Sequence, residues 1–448
     1  MRRSSIAALA LAAVSSASCM RVEVSFLDVG QPDAWAPDAA RPDAARPDAA
    51  IDAPGMDAPR IDADDRDAPT FDTATDVFVP TGADGIRAVL GAVGENVALA
   101  SMRDFVVVAD ALVVATENAR TLGTPESLEA ARLAWHDAMR VWQRVEVLQM
   151  GPAGLAMYTL GGRGLRDTIH PWPFVSYCGI DQATVAERYV DVATLGAEPV
   201  SARGMSAIEY ALFETTGSNR CAASAAINAD GTWAALGRDE VARRRTSYAH
   251  TAAVLVAAQA RVLVNAWEPS GENFLGTLAT AGAGSTLYPS AQVGLNGLSD
   301  ALFYLYKDVT DLKIGIPAGI YVDCPTATCP DNVEFPFSDS SLVYARVNVE
   351  AFRDAYLGAP PPMDAPGFDD LLRSMGAADL DRRIQEAIVV ALAAFDLVDG
   401  PLEIAVDTDA DDVLILHDAI RAVADLFRVE LLTVLDLELP ARVEGDND

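Results

Sequence analysis

Two glutamates stand where an ionised group is costly. Glu209 lies in the run Arg203 to Glu214, RGMSAIEYALFE, where Met205, Ile208 and Leu212 line one helical face and Ser206, Tyr210 and Phe213 the next. Glu146 extends a second stripe, Trp135, Met139, Trp142, at spacings of four, three and four residues. A carboxylate taken out of water must be paired, hydrogen-bonded or bound to a cation. Helical bundles build metal sites from glutamates projecting inward from facing helices, so Glu146 and Glu209 are the candidate metal ligands. Their oxygens suit iron, calcium, magnesium or manganese better than a thiol-seeking metal. Arg140 and Lys313 offer the plainer alternative, neutralising the same carboxylates with no metal at all.

The other chemistry-bearing residues are sparse. None of the four histidines, His136, His170, His250 and His417, pairs with another at ligand spacing. His136, beside Trp135, and His417, in VLILHDAI, read as hydrogen-bonded structural residues, whereas His170, in a Gly/Pro-rich stretch before Trp172, is free to reach a cleft. Asp181 reads as a helix cap. The chain has no HExxH zinc helix, no GxxxxGK[ST] phosphate loop, no GxSxG elbow and no paired CxxC.

These residues need a scaffold, and the periodicity predicts an all-α one. Helical patterns run over 84–120, 125–149, 238–267, 291–313, 341–357, 380–398 and 411–437, with no alternating strands joined by hairpin turns. Before them, residues 1–18 read as a signal peptide, with Arg2 and Arg3, an apolar run and small residues ending at Cys19, the expected lipidation site. Residues 19–79 form a Pro/Asp/Ala-rich stretch with PDAAR repeats, a disordered tether with too little apolar bulk for a core. No uninterrupted apolar stretch of membrane-spanning length is expected after the leader. The net charge of −32 makes the chain a poor partner for nucleic acid, whose phosphates would repel it, so no nucleic-acid partner is expected. In an exported chain, Cys178, Cys221, Cys324 and Cys329 read as two disulfides. Three connectivities are formally open, and Cys178–Cys221 with Cys324–Cys329 is preferred because the second pair closes the short loop CPTATC.

Several separated segments, in order, resemble the imelysin family. Gly204, Ser206 and Glu209, followed by Tyr210, Leu212 and Phe213, resemble its GxHxxE signature, with Ser206 in place of the histidine. Ala134 to Pro152 is similar to the family's tryptophan-bearing helix, and Trp172-Pro173 and Ile180-Asp181 to its WP and ID elements. Ser290 to Pro317 resembles the second-half helix ending in Lys-x-Gly-x-Pro, and Val333 to Leu342, VEFPFSDSSL, resembles the turn that follows. The resemblance implies two helical-bundle halves in pseudo-symmetric arrangement, residues 80–235 and 236–448, with a site between them. It also implies a lipid-anchored protein of the periplasm or outer membrane that binds a divalent or ferric ion, or a metal-bearing ligand, beside other metal-uptake components. A metallopeptidase is the alternative, made doubtful by Ser206, and a non-catalytic scaffold the third reading. With the signature imidazole missing, His170 is its candidate substitute.

Overall fold

The computed structural model describes residues 80–440; the expected signal peptide, Cys19 and tether lie outside the described residues. Helix α1 (Ala83–Ala92) runs through a π-helical segment, Val93–Leu99, into α2 (Ala100–Leu122). Gly123, at φ 63°, ends α2 in the left-handed conformation and returns its N–H to the Ala119 carbonyl at 3.1 Å. Thr124 then opens α3 (Pro125–Glu146): its hydroxyl accepts the Ser127 N–H at 3.2 Å, and Pro125 fills the first helical position, where no N–H is needed.

Short helices α4 (Leu165–Ile169), α5 (Tyr177–Val185) and α6 (Met205–Phe213) follow, then the 30-residue α7 (Arg238–Trp267). The remaining framework is α8 (Ala291–Leu302), a π-helical segment Leu305–Gly315, α9 (Ser341–Tyr356), α10 (Phe368–Ser374), α11 (Ala378–Ala394) and α12 (Ala410–Asp425). There is no strand among the described residues, in agreement with the all-α reading. Helix α2 packs on α3 and α7, α7 on α6, and α9 on α3, while α11, α12 and the 305–315 segment pack together further along the chain. One apolar core runs through all of them, from Val89 to Leu435.

Three expectations need adjustment. By length and composition, α7 does pass for a membrane span, but 56% of its most apolar stretch is buried in the protein, as in a core helix. Asp181 is not a cap: Ser176 caps α5 through the Gly179 N–H, and Asp181 lies inside the helix. Arg140 is exposed on α3 and reaches neither glutamate.

Both disulfides have the preferred pairing, Cys178–Cys221 and Cys324–Cys329. The same polar device occurs twice. Tyr210 donates to Asp181 at 2.8 Å and Arg245 reaches the same carboxylate at 3.2 Å; Tyr356 donates to Asp381 at 2.8 Å and Arg373 reaches it at 2.8 Å.

Candidate functional site

At the C-terminal end of α3, Glu146 meets Arg166 of α4, His170 just after α4, Lys313 of the π-helical segment and Glu334 of the turn before α9. The side chains of Glu146, His170 and Glu334 are completely buried, and each supplies a donor atom within 4.8 Å of the other two. Arg166 donates from Nε to Glu146 Oε1 at 3.0 Å and again from Nη2, while its Nη1 reaches Asp167 at 2.9 Å. Lys313 donates to Gln143 Oε1 at 2.7 Å and Asn348 Oδ1 at 2.8 Å, and its ammonium lies 2.7 Å from Glu334 Oε2. The last contact is an ion pair that lies off good hydrogen-bonding geometry, since Glu334 Oε2 counts no hydrogen bond. Glu146 Oε2 has no hydrogen-bond partner either, and Lys313 is 3.9 Å from it.

The imidazole of His170 is held at both nitrogens, with Nε2 2.9 Å from Glu334 Oε1 and Nδ1 3.0 Å from Ser206 Oγ. A hydroxyl can donate or accept, so Ser206 can serve either tautomer of His170. The ring stacks on Phe335, 5.7 Å between centroids. The serine at the signature position therefore does not leave a gap: the imidazole arrives from the 165–170 segment and hydrogen-bonds to it.

Two glutamates and two permanent cations balance in charge. Burial works to raise the Glu146 pKa, but Arg166 and Lys313 outweigh it and hold the group at about 2. Burial likewise opposes the charge of Arg166, and Glu146, Asp167 and Asp308 more than offset it. Lys313 also lies 5.7 Å from the Trp172 ring centre and 5.2 Å from that of Tyr304, so aromatic faces close its remaining sides.

Glu209 sits outside this trio. Its Oε1 accepts the Phe337 N–H at 3.2 Å, the Ser338 N–H at 3.1 Å and the Ser338 hydroxyl at 2.8 Å, and so fastens the turn that carries Glu334. Its Oε2 is buried without a partner. Burial pushes this carboxyl up to about 8, against the pull of those three donors. A raised carboxyl pKa means that the folded state binds the proton more tightly, so its contribution is complete below the unfolded value of 4.5 and is lost as pH rises through 8. Glu209→Gln, which imitates the neutral acid, should gain on the parent by up to ~1.4 kcal/mol per pH unit across that window. Denaturant melts at pH 5 and pH 8.5 measure it; an equal difference at the two pH values would show that Glu209 is ionised in the fold.

Of the residues singled out in the sequence, the fold brings together Glu146, His170, Ser206 and Lys313, and sets Glu209, Asp181 and Arg140 apart from them. Asp181 is occupied by Tyr210, Arg245 and the Arg220 N–H at 2.8 Å. His136 and His417 have the expected structural partners, Tyr344 at 2.9 Å and Tyr321 at 3.2 Å. Arg166, Glu334, Gln143 and Asn348 were not foreseen. The only signal for Glu334 was its place at the head of VEFPFSDSSL, an acid between apolar residues.

Two solved structures share the architecture. A protein named an iron-regulated protein A precursor, from Parabacteroides distasonis, matches with a TM-score of 0.62 and 18% identity over 80% of this chain and 95% of that one. An imelysin-like protein from Psychrobacter arcticum matches with a TM-score of 0.61 and 16% identity over 81% of this chain and 99% of that one. No curated protein sequence matches the chain. At these identities the likeness shows the fold. The profile of the Imelysin family, however, matches residues 98–429, from α2 through the end of the helical framework, and the chain belongs to that family.

Proposed function

We propose that the chain is an exported imelysin that binds a metal ion with Glu146, His170 and Glu334, tethered to a membrane through a lipid on Cys19. The supporting observation is the convergence of those three side chains, fully buried, with a carboxylate oxygen of Glu146 that nothing hydrogen-bonds. A buried orphaned oxygen is costly to leave unmatched and is what a cation would relieve. The donor set fits such an ion: two carboxylates and one imidazole suit iron, manganese or zinc, and the histidine makes calcium or magnesium a poorer match than the glutamates alone suggested. Lys313 holds a single positive charge in the same enclosure. The name of one structural relative, an iron-regulated protein, favours iron, and an exported setting accords with two disulfides and a leader-like N-terminus. Total burial of the trio favours holding an ion over hydrolysing a peptide, which could not reach these groups without displacing the residues around them.

Metal analysis of protein purified without chelators, followed by calorimetry with Fe2+, Mn2+ and Zn2+, tests the reading. One ion per chain is expected, and His170→Ala should weaken binding at least tenfold, because it removes the one nitrogen donor. Absence of any bound or titratable ion, or an affinity indifferent to His170, would leave Glu146 and Glu334 as a purely structural ion-pair cluster.

A further inference from the structure

The buried trio needs a route to solvent, and one residue of the cluster touches one. A cavity of about 240 Å³ opens beside α4, lined among others by Leu155, Tyr158, Phe174, Asp308 and Arg166. Arg166 is the cluster's only member in that wall. Its side chain keeps 11% of its surface exposed, whereas those of Glu146, His170 and Glu334 keep none and Lys313 keeps 1%.

Arg166 also bridges two carboxylates at once. Nε and Nη2 hold Glu146 inside, while Nη1 already holds Asp167, whose side chain is 31% exposed. Asp308, in the cavity wall, lies close enough to add to the field that keeps Arg166 charged. Turning the guanidinium from Glu146 toward Asp167 exchanges one carboxylate partner for another, so the arginine is never stripped of negative charge. The same turn exposes Glu146 Oε1 to the cavity. An incoming dication can then take over the compensation that Arg166 gives up.

We propose that this cavity is the vestibule through which a divalent cation reaches the buried carboxylates, and that Arg166 is the gate, a positioning residue that yields Glu146 to the ion. The inference rests on the metal-binding reading above. The rim of the vestibule is apolar and exposed, with Phe174 at 80% and Tyr158 at 55% exposure, so it can carry a plug without disturbing the core.

The test uses the full chain and Co2+ as the probe, followed by stopped-flow quenching of tryptophan fluorescence, since Trp172 lies against Lys313. Phe174→Cys labelled with a bulky maleimide should slow Co2+ association at least tenfold and dissociation to match, leaving Kd within twofold of the similarly treated parent. Arg166→Lys, which keeps a positive charge but cannot fork across two carboxylates, should speed association severalfold. Unchanged association after plugging, or slower association in Arg166→Lys, overturns the gate while leaving the metal site standing. Failure of the unlabelled parent to take up Co2+ overturns the metal-binding reading and the gate with it.

Discussion

Lys313→Met should cost the metal-free protein about 3–5 kcal/mol, and a divalent metal should restore much of that loss. The ammonium lies 2.7 Å from Glu334 Oε2 and 3.9 Å from Glu146 Oε2. Without it, Glu334 Oε2 loses the cation beside it, Asn348 Oδ1 loses its donor, and Gln143 Oε1 keeps only Asn348 Nδ2 at 2.9 Å. Methionine replaces most of the volume, so the loss is electrostatic rather than a cavity. A dication bound where the ammonium stood would satisfy both carboxylates, and saturation at about a hundred times Kd adds about 2.7 kcal/mol. The variant should therefore bind Mn2+ more tightly than the parent, because one resident cation fewer competes. Thermal melts with and without Mn2+, Fe2+ and Zn2+ decide the matter. A deficit that none of the three metals reduces would show that the carboxylates need a fixed ammonium and accept nothing in its place.

Replacing Cys178 and Cys221 together with serine should destabilise the protein by about 4 kcal/mol, and replacing Cys324 and Cys329 by about 2 kcal/mol. The difference follows from the loops closed: the bonded residues are 43 apart in the first case and 5 in the second, and the longer loop restricts the unfolded chain more. The first bridge also secures Arg220, whose N–H is one of the donors holding the buried Asp181. Denaturant melts of the two double variants would rank them, and a larger loss from the short loop would overturn the chain-entropy account.

The helices were legible because their signals are local. Capping at Thr124, the Pro125 start and the stripe Trp135, Met139, Trp142, Glu146 all fall within one stretch, and the burial of Glu146 and Glu209 followed directly. Their partners were not legible, because pairing is set by tertiary approach. Arg140, a few residues from Glu146 on the same helix, points to solvent, whereas Arg166 arrives from a different helix after a Gly/Pro-rich excursion with no periodicity to read. Glu334 likewise sits in a turn, where side-chain direction has no repeat. His170, outside any periodic stretch, is free in the sequence to reach a cleft, yet the fold buries it completely between Glu334 and Ser206.

The π-helical segment Leu305–Gly315 has a bearing on which changes of sequence this site can survive. Its wider turns show in the Ile316 N–H, which reaches back five residues to the Asp311 carbonyl at 2.8 Å. Such a segment amounts to a helix holding one residue more than regular winding accommodates. Loss of a single residue between Leu305 and Asp311 would be absorbed as the segment relaxes to ordinary α-helix, whereas the same loss from a regular helix would swing every later side chain by about 100° around the axis. Lys313 would keep its direction toward Glu334, Gln143 and Asn348. The length of this segment can thus shorten by one residue without disturbing what lines the buried pocket, a tolerance that a regular helix in the same place would lack.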